Sequence, residues 1–162
     1  EFAPGLFAKV ERWSAVADDL EVAEVLGTRV AAAALRLEPS KLSIVKKWAK
    51  LKSVGKRHLA VLTATGLVVD GHREATAVLN LAETLLDEQN PLMVGAVARL
   101  LRETTRVDAK AVQDFLFRRS IDGNPDILRA GSENLDAARR AALIAKLEAQ
   151  AALTAPLAAA ER

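Results

Sequence analysis

The chain has 162 residues, of which 51% are apolar and only 4% aromatic, with a formal net charge of +2 and no cysteine. That length suits one domain with a substantial core, and with so few aromatics Ala, Leu and Val must fill it, as in closely packed helices. Disulfides, a thiolate nucleophile and a cysteine-based metal site are excluded, no apolar run approaches the roughly 18 residues of a membrane helix, and nothing at the N-terminus reads as a signal peptide.

A cytoplasmic protein without membrane contact is therefore expected. The chain opens on Glu1-Phe2 without an initiator Met, which reads as a fragment, a processed chain or one carrying a cloning remnant.

Apolar residues recur at helical spacing throughout, and no segment alternates long enough to suggest a strand. Residues 19–37 form the first long helix, with Leu20, Ala23, Leu26, Val30, Ala34 and Leu37 along one side. Pro39-Ser40 ends it, and Ser40 is placed to cap a helix over about 41–51. Ser53 is placed to cap the next, over about 54–65, which Gly66 stops. Asp70-Gly71 is a turn before a helix over about 73–88. Asn90-Pro91 is a cap followed by proline at the first helical position, opening a helix over about 92–105. Asp108 caps a helix over about 109–119, Asn124-Pro125 repeats the cap-plus-proline device for a short one, and Ser132 opens a last long helix over about 133–150. Residues 151–162 are an Ala-rich tail expected to fray.

Short connections make neighbouring helices antiparallel. The caps Ser53 and Asn90 lie 37 residues apart in matching layouts, near the roughly 40-residue period of HEAT-type repeats. Units of that kind bury their apolar faces by stacking into a solenoid with a concave surface. The predicted fold is all-α: a single HEAT-like helical-repeat solenoid of stacked antiparallel helix pairs over residues 1–150.

Charge is uneven along the chain. Between Glu38 and Asp70 there is no acidic residue, while residues 41–57 carry Lys41, Lys46, Lys47, Lys50, Lys52, Lys56 and Arg57. On a helix, Lys46, Lys47 and Lys50 share one sector, opposite Ile44, Trp48 and Leu51. The plainer reading is a solvated lysine face. The next helix speaks for more: Lys56 and Arg57 fall in its first turn, where cations oppose the helix dipole and free N–H groups point outward. Cations and N–H donors together suit an anion such as phosphate; the alternative is that both side chains extend into water. Arg99, Arg102 and Arg106 form a second cationic row, with Glu103 in reach of Arg99 or Arg106. Arg118-Arg119, at a helix C-terminus, suit the dipole and read as structural.

For chemistry the sequence offers little. It holds two histidines, no His-Glu-x-x-His, no Asp-rich loop, no phosphate-binding Gly-rich loop and no Gly-x-Ser-x-Gly, so neither a metal nor another cofactor is expected. The constellation worth weighing is Trp13 with Asp18 and Asp19: an indole to stack and a carboxylate able to stabilise an oxocarbenium ion or orient a water. The structural alternative is that Asp18 caps the following helix and Trp13 packs on the repeat.

Trp-Ser-Ala-Val-Ala-Asp-Asp-Leu at 13–20, then Trp48, then Lys56-Arg57-His58-Leu59-Ala60-Val61-Leu62, and last Val97-Ala98-Arg99-Leu100-Leu101-Arg102-Glu103 leading to Val112 and Phe115-Leu116, resemble the AlkD-like DNA alkylation repair family, the HEAT-like DNA glycosylases. The resemblance covers about residues 10–119. It implies a concave surface for double-stranded DNA and, in the glycosylases, release of cationic N3- and N7-alkylpurines without flipping the base. Aromatic side chains face the lesion and an Asp stabilises the sugar cation. Carried over, Asp18 or Asp19 is the catalytic carboxylate, Lys56 and Arg57 grip phosphates, and Trp13 lies near the aromatic position. Arg99 stands where a lesion-facing Trp is expected, the basic pair is Lys-Arg where Arg-Arg is usual, and the family's N-terminal repeats are expected to be missing. The sequence thus points to a DNA-binding domain that grips backbone phosphates through Lys46, Lys47, Lys50, Lys56, Arg57 and Arg99, with base release left open. The alternative is a non-catalytic scaffold whose groove takes a protein partner.

Overall fold

The computed structural model describes residues 5–14, 19–69 and 75–154. These form helices α1 (Leu6–Trp13), α2 (Leu20–Val25), a π-helical segment (Leu26–Ala31), α3 (Ala32–Leu37), a 3-10 turn (Pro39–Lys41), α4 (Leu42–Trp48), α5 (Val54–Val69), α6 (Ala75–Glu83), α7 (Pro91–Val107), α8 (Ala109–Arg119), α9 (Pro125–Gly131) and α10 (Ala137–Thr154). Among the described residues there is no strand. The helices stack in two layers. One holds the run from α2 through α3, then α5, α7 and α9, each packed on the next; the other holds α1, α4, α6, α8 and α10. The expected all-helical solenoid of stacked pairs is what the chain forms.

Local chemistry explains most boundaries. Asn90 caps α7 by accepting from Leu92 N at 3.0 Å, Asp108 caps α8 through Ala111 N at 2.9 Å, and Asn124 caps α9 through Asp126 N at 2.9 Å. Ser53 Oγ accepts from Lys56 N at 3.3 Å at the start of α5. Two expected caps act elsewhere. Ser40 lies in the 3-10 turn and makes no cap bond for α4. Ser132 closes α9, its hydroxyl donating to Arg129 O at 2.7 Å, and Asp136 opens α10 through Arg139 N at 2.9 Å. The turn expected at Asp70-Gly71 lies outside the described residues.

Gly66 does not stop α5, which runs on to Val69. It is instead the point where α5 crosses the π-helical segment. A Cβ on Gly66 would come within 2.7 Å of Ala32 Cβ and nearer still to the Thr28 carbonyl, while one on Gly27 would collide with Leu62. The two glycines let the helix axes approach with nothing between them. α5 is the central helix: His58 through Val68 are all buried. Its buried hydroxyls are satisfied within the helix, Thr63 donating to Leu59 O at 2.7 Å and Thr65 to Val61 O at 2.9 Å.

Candidate nucleic-acid interface

α4 buries Val45, Trp48 and Ala49 and turns Lys46, Lys47 and Lys50 to solvent, as the spacing predicts. Leu51, expected on the buried side, is 44% exposed because α4 ends before it. Trp48 fixes the helix. Its ring stacks on Phe7 of α1 with centroids 5.5 Å apart and planes 12° from parallel, and Lys56 Nζ lies 5.3 Å from its centroid. Lys52, in the loop to α5, extends the exposed lysines. No carboxylate among the described residues pairs with Lys46, Lys47, Lys50 or Lys52.

Lys56 and Arg57 have different surroundings. The Lys56 ammonium meets the Ser14 hydroxyl. Arg57 is a clasp: Nε pairs with Glu88 Oε1, Nη2 donates to Glu88 Oε2 at 3.2 Å, and Nη1 donates to Leu51 O at 2.9 Å and Lys52 O at 2.7 Å. With side-chain exposures of 16% and 13%, Arg57 and Glu88 are largely out of water. Every guanidinium nitrogen is engaged, which leaves Lys56 as the freer cation of the pair.

The arginine row of α7 is matched in the same manner. Arg99 pairs with Glu24 at 2.7 Å, Arg102 with Glu133 at 3.3 Å and with Ala130 O at 3.1 Å, and Arg106 with Glu103 at 2.7 Å. Of the two partners open to Glu103, Arg106 takes it. Arg99 borders a cleft of about 550 Å³ lined also by Glu24, Thr28, Arg29, Arg36 and Gly66. The α4 lysines and the α7 arginines lie on helices of different layers. Arg119, read as structural, pairs with Glu83 of α6 at 3.0 Å.

Asp19 caps α2, its Oδ1 accepting from Glu21 N at 2.7 Å and Val22 N at 3.1 Å. Asp18 lies outside the described residues. Trp13 is 47% exposed and borders an apolar groove of about 450 Å³ with Val22, Val25 and Val30. Asp19 also lines a second, more polar cleft of about 420 Å³ at the start of α5, with Ser14, Ser53, Lys56 and His58. His58 is 7% exposed. Burial holds its pKa below the ordinary 6.5, with Glu24 pulling the other way. Sequence reasoning passed over His58, Glu24 and Glu88. Only His58 carried a local signal, as an imidazole beside Lys56-Arg57 in a first turn; the two glutamates act on partners far along the chain.

Among the described residues no group of three or more His, Asp or Glu side chains could hold a metal ion, and no helix is long and apolar enough to cross a membrane. A family model described as DNA alkylation repair enzyme matches residues 1–150. Neither the curated proteins nor the solved structures give a match to this chain. The family match spans nearly the whole helical stack, from α1 well into α10, and on that ground the chain belongs to the DNA alkylation repair enzyme family.

Proposed function

We propose that this domain serves DNA repair by holding duplex DNA through its phosphate backbone, with Lys46, Lys47, Lys50 and Lys52 as the contacts. One observation carries the reading: these four ammonium groups are exposed and without carboxylate partners among the described residues, whereas Arg99, Arg102 and Arg106 each have one. Cations without partners must be neutralised by counterions, and a polyanion that takes their place gains the entropy of releasing the ions on both sides. The acid-free stretch between Glu38 and Asp70 keeps this charge uncompensated over the whole segment. A DNA-binding solenoid of HEAT-like repeats fits the two-layer stack.

The test is fluorescence anisotropy of a short duplex at two salt concentrations, with the native chain beside a Lys46/Lys47/Lys50/Lys52→Gln variant. Each phosphate neutralised contributes about 0.9 to the slope of log affinity against log salt. The variant should lose several-fold affinity and up to about 3.6 of that slope. An unchanged slope, or no binding by the native chain at low salt, would remove the lysine face from the account.

Base release is the second part of the reading. Asp19 uses Oδ1 for the cap and lines the cleft at the start of α5, and a carboxylate lining a cleft supports a role in stabilising a developing sugar cation. Release of N3- or N7-alkylpurine from alkylated duplex should vanish in an Asp18→Asn/Asp19→Asn variant that still binds DNA. Undiminished release would reject both carboxylates.

A further inference from the structure

The two ends of the layer that runs from α2 to α9 are finished differently. Inner helices of a stack are covered on both sides, while an end helix has one side open, so a stable end needs a polar outer face. α9 has one: it buries Ile127 and Leu128 and leaves Asp126 and Arg129 outside. The run of α2 and the π-helical segment does not. It packs on α5 with Leu26, Gly27 and Ala31 buried, and no helix of this layer precedes it among the described residues. On its outer side Val22 and Val25 are 54% and 52% exposed, beside the exposed Trp13 of α1. With Val30 they line the apolar groove of about 450 Å³. The π-helical segment shapes that groove. Its wider turn puts residues five apart on one side, which brings Val30 round to the face of Val25, where an α-helix would turn it away.

Opposite charges frame this face. Glu21 lines the groove one turn before Val25, and Arg29 stands exposed one turn after it. Neither has an ion-pair partner among the described residues. The two lie about 12 Å apart along the helix, with Val25 midway. A surface that is apolar in the middle and oppositely charged at its ends is complementary to itself when reversed. We infer that this face docks a second copy of the chain about a two-fold axis at Val25. The two α2 segments then run antiparallel, with Val25 against Val25 and Glu21 of each copy against Arg29 of the other. The charges select that orientation. A parallel pair would set Glu21 against Glu21 and Arg29 against Arg29, and like charges repel. The antiparallel pair brings opposite charges together twice, because a two-fold axis makes every contact occur twice. Valines at the centre let the two helix axes approach to the roughly 8–10 Å of packed helices. Trp13 at the edge adds a large aromatic side chain of the kind enriched in interfaces. None of the lysines proposed for DNA belongs to this face, and their replacement leaves it intact.

Sedimentation velocity of the chain from about 1 to 100 µM should show a monomer giving way to a dimer. Over the same range Trp13 should lose access to acrylamide, while the buried Trp48 stays protected throughout. Val25→Asp sets two carboxylates face to face at the axis and should leave a monomer. Glu21→Arg and Arg29→Glu should each weaken the dimer about tenfold, because two attractions become two repulsions. An equal mixture of these two variants should recover the dimer as a mixed pair, in which every charged contact is again between opposite signs. The double variant Glu21→Arg/Arg29→Glu should dimerise as the native chain does. All three side chains are exposed in the single chain, so the fold should tolerate the changes. A native chain that stays monomeric at about 100 µM overturns the pairing and leaves the groove to a partner of another kind. So does a dimer that Val25→Asp leaves intact, or a loss in the single variants that neither the mixture nor the double variant reverses. Assemblies that keep growing with concentration overturn it too, since they mark a head-to-tail contact that does not close.

Discussion

Lys46, Lys47 and Lys50 on α4 and Arg99, Arg102 and Arg106 on α7 recur at helical spacing, and in the sequence they look alike. The structure separates them. The arginines each meet a glutamate: Glu24 from α2, Glu133 from the turn after α9, and Glu103 from the same helix. The lysines meet none among the described residues. A row of cations on one helix face is thus two different objects, and the difference lies in what the fold brings to it from elsewhere. Where an acid arrives from another element, as at Arg99 and Arg102, the cation ties elements together; where none arrives, the charge stays in solvent.

The largest test of this contrast is on the anchor rather than the charges. Trp48→Ala removes the ring that stacks on Phe7 and carries Lys56 over its face, and should cost about 3–5 kcal/mol by urea unfolding. If duplex affinity at a temperature where the variant is still folded equals that of the native chain, the lysine face does not depend on α4 docking as drawn. Next comes Arg57→Met, which leaves the Glu88 carboxylate 13% exposed without its partner, and should cost about 3 kcal/mol. A loss under about 0.5 kcal/mol, the range of ordinary surface changes, would return Arg57 to the free cations. The smallest effect belongs to Arg99 and Glu24, whose side chains are 44% and 36% exposed. A double-mutant cycle should give a coupling of about 0.2–1 kcal/mol that fades with salt, while Lys47→Gln should leave stability within about 0.5 kcal/mol. A coupling near zero would erase the distinction between the two rows at Arg99.

What the sequence made legible was local. Asn90, Asp108 and Asn124 cap their helices because a capping bond closes over two or three residues, and the same reach lets proline follow two of them. Lys46, Lys47 and Lys50 were placed correctly because helical phase alone puts them opposite Trp48. The misreadings share a cause at longer range. Gly66 looks like a stop until the π-helical segment crosses it, and Ser132 looks like a cap until Asp136 is found to have the better position. Arg57 looks free until Glu88, 31 residues away, folds against it. Ion pairs between repeats have no sequence period of their own, so no spacing argument could have found them.

Glu88 has a second partner whose consequence reaches the whole stack. Its side chain holds Arg57 at the start of α5, while its carbonyl accepts from Asn124 Nδ2 at 2.6 Å at the start of α9; Asn124 N donates to Leu86 O at 2.8 Å as well. Successive units are thus stitched along one rim by directional bonds of fixed length, from α5 through the loop before α7 to α9. Apolar packing between the helices tolerates sliding far better than such bonds tolerate stretching. α7 and α9 are tied at their other ends as well, Arg102 Nη1 donating to Ala130 O at 3.1 Å and Asn134 Nδ2 to Arg102 O at 2.9 Å, so a curved partner should meet a pair of helices that resists fanning at both ends.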